Sequence, residues 1–317
     1  MTAAKPHDAA APVVTTGAGA AGADAYDEVD LAPVRTYWQL VRRRFLRHRL
    51  AVIALVVLVG LIAFAVIVPF LTGDLYKDPD LHRVWAAPEL QAPLGYDEIG
   101  QNVLIRLAKA TQTSLIIGLA AVLIIAGLGS LVGAVAGYVG GATDNVLMRL
   151  VDVVLSLPVL FIILMIVAFF GHGNVWVVII AIGITGWTLA ARLIRGEFLM
   201  LREMDFVFAA RALGAGHRRI IVRHMLPPAT GPLIVACALG VADAVVIEAA
   251  LSFLGFGISP PEASLGNMLT NANTYFIRAP LMVIYPGVVL VLMVLCASFL
   301  GDGLRDALDP RQKIDVK

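Results

Sequence analysis

Nucleotide chemistry of the phosphate-loop kind requires a Gly-rich turn leading into Gly-Lys-Ser/Thr, where loop amides and the lysine ammonium together cradle phosphate. Four of the five lysines, Lys5, Lys77, Lys109 and Lys313, precede Pro6, Asp78, Ala110 and Ile314, and Lys317 closes the sequence, so none stands in that pattern. If ATP drives this protein, another chain must bind it. The six histidines, His7, His48, His82, His172, His217 and His224, form no close cluster with each other or with Cys, so a metal site is not expected. No Ser-His-Asp motif is present either. Cys237 and Cys296 fall in apolar runs, where a free thiol acts as a small hydrophobe and no disulfide framework is implied. Two carboxylates remain, Asp243 and Glu248, inside a run otherwise fit for a bilayer. An ionised group there costs about 2.5–3.5 kcal/mol on insertion scales, so each must face protein or water. Five positions apart on a helix they point roughly 140° away from each other, which excludes a paired acid-base site. They either line a pathway or bond between spans near a substrate route, or they make a purely structural polar contact. A chemical active site and a cofactor in this chain are not expected.

The other polar concentration is Phe206-Val-Phe-Ala-Ala-Arg-Ala-Leu-Gly214, followed by His217-Arg-Arg-Ile-Ile-Val-Arg-His-Met-Leu-Pro227. Asp205 can cap a helix over Phe206 to Leu213, and Gly214 with Gly216 can supply its left-handed stop. Ala209, Ala210 and Ala212 would let a partner's backbone approach closely, with Phe206 and Leu213 as larger anchors on a neighbouring face. The same residues could instead form a surface helix on lipid headgroups, with the arginines against anionic lipid.

Composition sets the environment of these residues. The chain is 59% hydrophobic and 15% charged, with a mean hydropathy of +0.86, against about 25% charged for an ordinary soluble domain. This is the composition of an integral membrane protein. A net charge of +1 gives no basic face for nucleic acid. Residues 1–34 are rich in Ala, Gly, Thr and Pro and are expected to be a disordered tail. A membrane core takes roughly 20 apolar residues as helix, which predicts six spans: Leu50–Phe70, Leu115–Val139, Val153–Phe170, Val175–Ala191, Pro232–Leu251 and Leu281–Leu300. The third and fourth are divided at Gly171-His172-Gly173-Asn174, a turn signal, and Pro158 is expected to kink the third. The stretch Ser252 to Pro280 is broken by Gly255, Gly257, Pro260 and Pro261, and is read as an external re-entrant or interfacial segment, or a plain loop. No short h-region with a cleavage site precedes the first span. With both termini inside, 19 of the 24 Lys and Arg fall on the cytoplasmic side, as the positive-inside rule favours. The loop at 192–227 is then cytoplasmic.

Aligned on Gly214 and Leu226-Pro227, the basic island resembles the EAA loop of ABC importer permeases. Ala209, Ala210, Gly214, Leu226 and Pro227 match that pattern, whereas Phe208 stands for its Glu and His224 for its Ile. Those two departures are the usual form in the C-subunit branch of dipeptide/oligopeptide permeases. Further blocks resemble that branch from residue 35 onward. They are Gly137-Tyr-Val-Gly-Gly-Ala-Thr-Asp144 with Met148-Arg149 and Asp152, Glu248-Ala-Ala-Leu-Ser-Phe-Leu-Gly-Phe-Gly257 with Pro260-Pro261, and Gly301-Asp-Gly-Leu-Arg-Asp-Ala-Leu-Asp-Pro-Arg311. One block departs. Leu94-Gly-Tyr-Asp-Glu-Ile-Gly-Gln-Asn102 and Lys109-Ala-Thr-Gln112 lack an Arg/Asp pair and an Arg that such permeases usually carry, so no docking role is carried over to them.

The resemblance implies an all-α polytopic membrane protein with the type I ABC importer permease fold, in a bacterial plasma membrane. It also implies a second homologous permease, two ATPase domains or subunits that bind ATP and Mg, and an extracytoplasmic substrate-binding protein. Phe206 to Gly214 would be the coupling helix, seated in a groove of the ATPase, with Phe206, Phe208, Ala209, Ala210, Arg211, Leu213, Gly214, Arg218 and Arg219 as contact candidates. Asp243 and Glu248 would be candidates for the translocation pathway. The implied cargo is a dipeptide or oligopeptide, although relatives of the same architecture handle nickel, glutathione or heme. A self-sufficient channel or ion-driven carrier is the reading from another class, but it would call for more ionisable residues along the spans than Asp243 and Glu248.

Overall fold

The computed structural model describes residues 37–308, and the tail expected to be disordered lies outside them. All regular structure among the described residues is helical, apart from two isolated bridges at Glu89/Ala92 and Tyr96/Asn102. Five stretches are long and apolar enough to cross a membrane: Arg49–Lys77, Val103–Val139, Val175–Arg202, His217–Phe253 and Leu281–Leu308. Their principal helices are α2 (Arg49–Thr72), α3 (Val103–Val139), α6 (Val175–Arg202), α9 (Leu226–Phe253) and α12 (Leu281–Leu308). A short basic helix, α1 (Tyr37–Arg47), precedes α2. Many of the exposed large side chains of these helices are apolar, including Val56, Phe70, Leu123 and Trp176, as a bilayer-facing surface requires.

The candidate for the sixth crossing is a bent pair, α4 (Gly141–Ser156) and α5 (Val159–Phe170), which meet at 85° as a broken span or a re-entrant loop. The sequence predicts a single kinked span over 153–170, but the break is far sharper than a kink. Leu157 is extended, at φ −95 and ψ 141, as the residue before proline favours, and Pro158 becomes the N-cap of a new helix. With 12 residues α5 is about 18 Å long, short of the roughly 30 Å hydrocarbon core, so α5 alone does not span it as a straight helix. The turn at Gly171 to Asn174 forms with Gly171 and Gly173 at positive φ and the Asn174 side chain accepting from the Trp176 amide at 2.9 Å.

Helix α3 owes its seat on α6 to glycine spacing. Gly129, Gly133 and Gly137 recur every four residues, so they share one stripe. A Cβ at Gly129 would lie 2.4 Å from the Ala190 Cβ, one at Gly133 2.4 Å from the Ala191 carbonyl, and one at Gly137 2.7 Å from the Phe198 Cβ. The two backbones therefore touch, the arrangement that small residues permit where no water drives helices together. Gly127, two residues before the stripe, meets nothing within 4 Å. Gly133→Leu is expected to cost about 1–3 kcal/mol or more and to lower the yield of monodisperse protein, whereas Gly127→Ala is expected to be neutral or to stabilise by up to about 1 kcal/mol. Fluorescence-detected size exclusion after a heating series reads both.

Three clusters fill the interior. One joins α3, α5, α6 and α9 around Ile117, Ile163, Val178 and Leu251. A second joins α3, α9, α10 (Leu265–Met268) and α12 around Val103, Val245, Leu265 and Met293. The third gathers the ends of α3 and α6 with the loop that follows, through Tyr138, Ile194, Phe198, Val207, Ile220 and Met225.

Candidate coupling site

Between α6 and the next long helix stands α7 (Asp205–Ala212), a helix of 8 residues. Its N-cap is Met204, extended at φ −86 and ψ 144 with no side-chain bond, so the expected capping role of Asp205 is not observed. Asp205 is the first helical residue, where its charge favours the helix dipole instead. The C-terminus is a complete Schellman motif. Gly214 takes φ +78, its amide donates to the Arg211 carbonyl at 2.9 Å, and the Ala215 amide donates to the Ala210 carbonyl at 3.0 Å. Gly216, at φ −68, has no left-handed role.

Two faces follow from the helical period. Val207 and Ala210, three apart, are 0% and 8% exposed and fix α7 to the third cluster. Phe206, Phe208 and Leu213 are 43%, 50% and 88% exposed. Ala209 and Ala212 share that outer side with Gly214. Ala210, expected to admit a partner, points the other way: an amphipathic helix this short needs its small residue inside to sit close to its support. The exposed surface of α7 thus carries Phe206 and Leu213 on one side and Phe208 on another, and Arg218 and Arg219, which follow in sequence, are exposed as well. Arg211 is placed with its guanidinium 5.6 Å from the ring centroid of Tyr138.

After Gly216 the chain is helical without interruption from His217 to Phe253, as α8 (His217–Arg219), a π turn over Ile220–Met225, and α9. The expected start of that span, Pro232, lies well inside it. Pro227 and Pro228 lack amides and occupy the first turn of α9, and the π register just before them takes up the disrupted bonding, with Leu226 donating to the Ile221 carbonyl.

The two intramembrane carboxylates separate clearly. Glu248 is 0% exposed. Ser114 on α3 donates to its Oε2 and Ser252 on α9 to its Oε1, each at 2.7 Å. Those hydroxyls in turn accept the Leu265 amide at 3.2 Å and the Ile258 amide at 3.0 Å. Glu248 therefore pins the segment after α9 onto α3, and as a fully buried side chain it lines no open path. Asp243 is exposed and borders a cavity of about 470 Å³ otherwise walled by uncharged residues such as Val122, Leu155, Thr185, Leu189 and Leu239.

The divergent segment before α3 is a compact ion-paired hairpin. Asn102 caps α3, accepting the Leu104 amide at 3.0 Å, a task that Asn and Asp perform equally well. Asp97 pairs with Arg106 and accepts the Gln101 amide at 2.8 Å. Against this hairpin pack Asn271, which donates to Glu98 at 3.2 Å, and Tyr275, whose hydroxyl burial pushes up to about 12.

Residues 128–314 match the family described as binding-protein-dependent transport system inner membrane component, and residues 36–93 match the N-terminal transmembrane domain of oligopeptide transport permease C. The chain belongs to the binding-protein-dependent inner-membrane transport components. It is similar to the oligopeptide transport system permease protein OppC of Haemophilus influenzae, 36% identical over 92% of this chain and 94% of the relative. Against the protein of that name from Mycobacterium tuberculosis the identity is 39%, over 86% of this chain and 94% of the relative. Against that from Escherichia coli it is 37%, over 88% and 93%. Among solved structures, the MetNI methionine ABC transporter in inward-facing form matches with a TM-score of 0.54 at 18% identity, over 64% of this chain and 96% of the matched chain. That likeness bears on the fold, the type I permease bundle. The chain is a multi-pass inner-membrane transport subunit.

Within this family frame, two groups of residues went unread in the sequence. The glycine stripe of α3 was visible as a four-residue repeat. Tyr138, buried at the end of α3, stands in the Gly137–Asp144 block that resembles the permease branch, but no feature of the sequence assigns it a role.

Proposed function

We propose that this chain is one of two permeases of an ATP-driven importer of dipeptides or oligopeptides, with both termini in the cytoplasm and α7 docked on a partner ATPase that binds ATP and Mg. The single observation that carries the coupling role is α7 itself, which turns Phe206, Phe208 and Leu213 outward on a helix whose own support is already complete. Exposed apolar anchors, followed in sequence by exposed arginines, are residue types that protein interfaces use. The surrounding contacts are assigned to Ala209, Arg218, Arg219 and the Gly214 turn. Arg211 contributes from the edge, and Ala210 serves as the inner anchor. The oligopeptide permeases to which this chain is similar along most of its length support the peptide cargo. A binding protein outside the membrane delivers that cargo, lipid surrounds the bundle, and the path runs between this chain and the second permease. Asp243 is our candidate for a pathway residue, since it is the charged side chain in an otherwise uncharged cavity.

The test is reconstitution of both permeases, the ATPases and the binding protein in vesicles. ATP-dependent uptake of a radiolabelled short-peptide pool is expected, competed by unlabelled peptide and not by nickel, glutathione or heme. Vesicles holding this chain alone are expected to show no flux. Flux from the lone chain, or competition by one of the other solutes in place of peptide, would overturn the assignment.

A further inference from the structure

Tyr138 is buried, 9% exposed, on the last turn of α3. Its hydroxyl and the His217 Nδ1 share a hydrogen bond of 2.7 Å, and the two rings meet edge to face with centroids 5.7 Å apart. On the same phenol ring sits the Arg211 guanidinium, 5.6 Å from the centroid, within the range of a cation–π contact. Arg211 belongs to the last turn of α7 and His217 opens α8, so one side chain of α3 holds the chain on both sides of the Gly214 turn. Behind it Phe198 and Ile194 of α6 and Val207 of α7 complete one apolar cluster. Displacing α7 relative to α3 without losing these contacts would require Tyr138 to move with it. The α3 backbone at that point cannot slide independently, because Gly137 already lies against the Phe198 Cβ and the Arg195 carbonyl of α6.

We propose that Tyr138 is a positioning residue of energy coupling, a clasp through which displacement of α7 reaches α3 and α6. This rests on the reading of α7 as the ATPase-docking helix. The phenol ring supplies packing and the face for Arg211, while the hydroxyl supplies the directional bond to His217. These two parts are separable by substitution. Tyr138→Phe keeps the ring and removes the bond. His217→Asn keeps a polar atom where Nδ1 stands, and His217→Leu removes it.

The experiment uses the complete complex in proteoliposomes. Uptake of the radiolabelled short-peptide pool and release of phosphate from ATP are measured in the same vesicles, with Leu213→Glu as the reference for lost docking. Tyr138→Phe and His217→Leu are each expected to lower uptake per ATP hydrolysed by about three- to tenfold, the range of one hydrogen bond, with complex yield and basal hydrolysis maintained. His217→Asn is expected to retain most of the ratio, and Tyr138→Phe with His217→Leu is expected to be no worse than either alone. If Leu213→Glu uncouples and the Tyr138 and His217 variants do not, the clasp is refuted and the α7 reading stands. If Leu213→Glu leaves the ratio intact, both fall. Loss of uptake and hydrolysis in equal proportion would assign Tyr138 a structural role only and overturn the inference.

Discussion

Leu213→Glu is expected to lower transport per ATP hydrolysed by about tenfold or more, the effect of removing a central apolar anchor from an interface, while the permease itself folds normally. The fold tolerates the change because Leu213 is the C-cap of α7, held by its backbone amide on the Ala209 carbonyl at 3.0 Å, and its side chain is 88% exposed. A carboxylate here replaces apolar area that a partner groove would desolvate, and burying it unpaired is costly. Phe208→Glu, on another exposed side of α7, tests whether the docking surface reaches round the helix and is expected to act in the same direction. Arg218→Ala and Arg219→Ala are expected to have smaller, salt-sensitive effects of about two- to fivefold, as rim charges do. Ala210→Arg would be a poor probe of docking, since Ala210 is part of the support of α7 and its enlargement would displace the helix. The measurement pairs ATPase pull-down with the uptake-to-hydrolysis ratio. Normal pull-down and a normal ratio in Leu213→Glu would remove α7 from the coupling interface.

The legible and the illegible parts of this chain divide along a physical line. Charge-free runs mark helices because only backbone bonded to itself is stable in hydrocarbon, and those runs point to every long helix found. Gly214 was readable as a left-handed stop because its neighbours are poor candidates for φ +78. Which face of α7 turns inward was not readable, because Val207, Phe208, Ala209 and Ala210 supply small and large residues to both sides. Two helix boundaries near prolines also differ from expectation. The expected start of the fifth span is Pro232, yet the chain is helical over 217–253, with a π turn just ahead of Pro227 and Pro228. Pro158 reads as a kink, yet the combination with an extended Leu157 produces an 85° corner.

The carboxylates show the same limit in another form. Asp243 and Glu248 carry equal cost in an apolar run, and the run alone does not say which sector of the helix meets protein. What separates them is Ser114, 134 residues away in sequence and 2.7 Å away in space. Contacts of that separation leave no periodic trace in one sequence.

That network makes Glu248→Ala the second large expected effect. Removing the carboxylate leaves the Ser114 and Ser252 hydroxyls without their acceptor in a site that is 0% exposed, and opens a cavity between α3 and α9. The combined cost is about 3 kcal/mol or more, read as a drop of roughly 5–10 °C in apparent Tm for a protein of this size. The loss should be local as well as global. The Ile258 and Leu265 amides bond to those two hydroxyls, so two anchors of the segment after α9 are loosened, while the Phe256 and Gly257 amides keep their bonds to the Leu251 carbonyl. Hydrogen exchange of the peptides covering 255–268 is expected to accelerate in Glu248→Ala and to change little in the α7 variants. Glu248→Gln retains the shape and one acceptor oxygen, so it is expected to cost only about 1 kcal/mol. A carboxylate that served the pathway through its charge would give the reverse ranking: stable protein in both variants, with uptake lost in Glu248→Gln as fully as in Glu248→Ala. Asp243→Asn supplies the contrast within the same helix. Its side chain has no hydrogen bond of this kind to lose, so apparent Tm is expected to stay within about 2 °C of the parent, and any effect must appear in uptake.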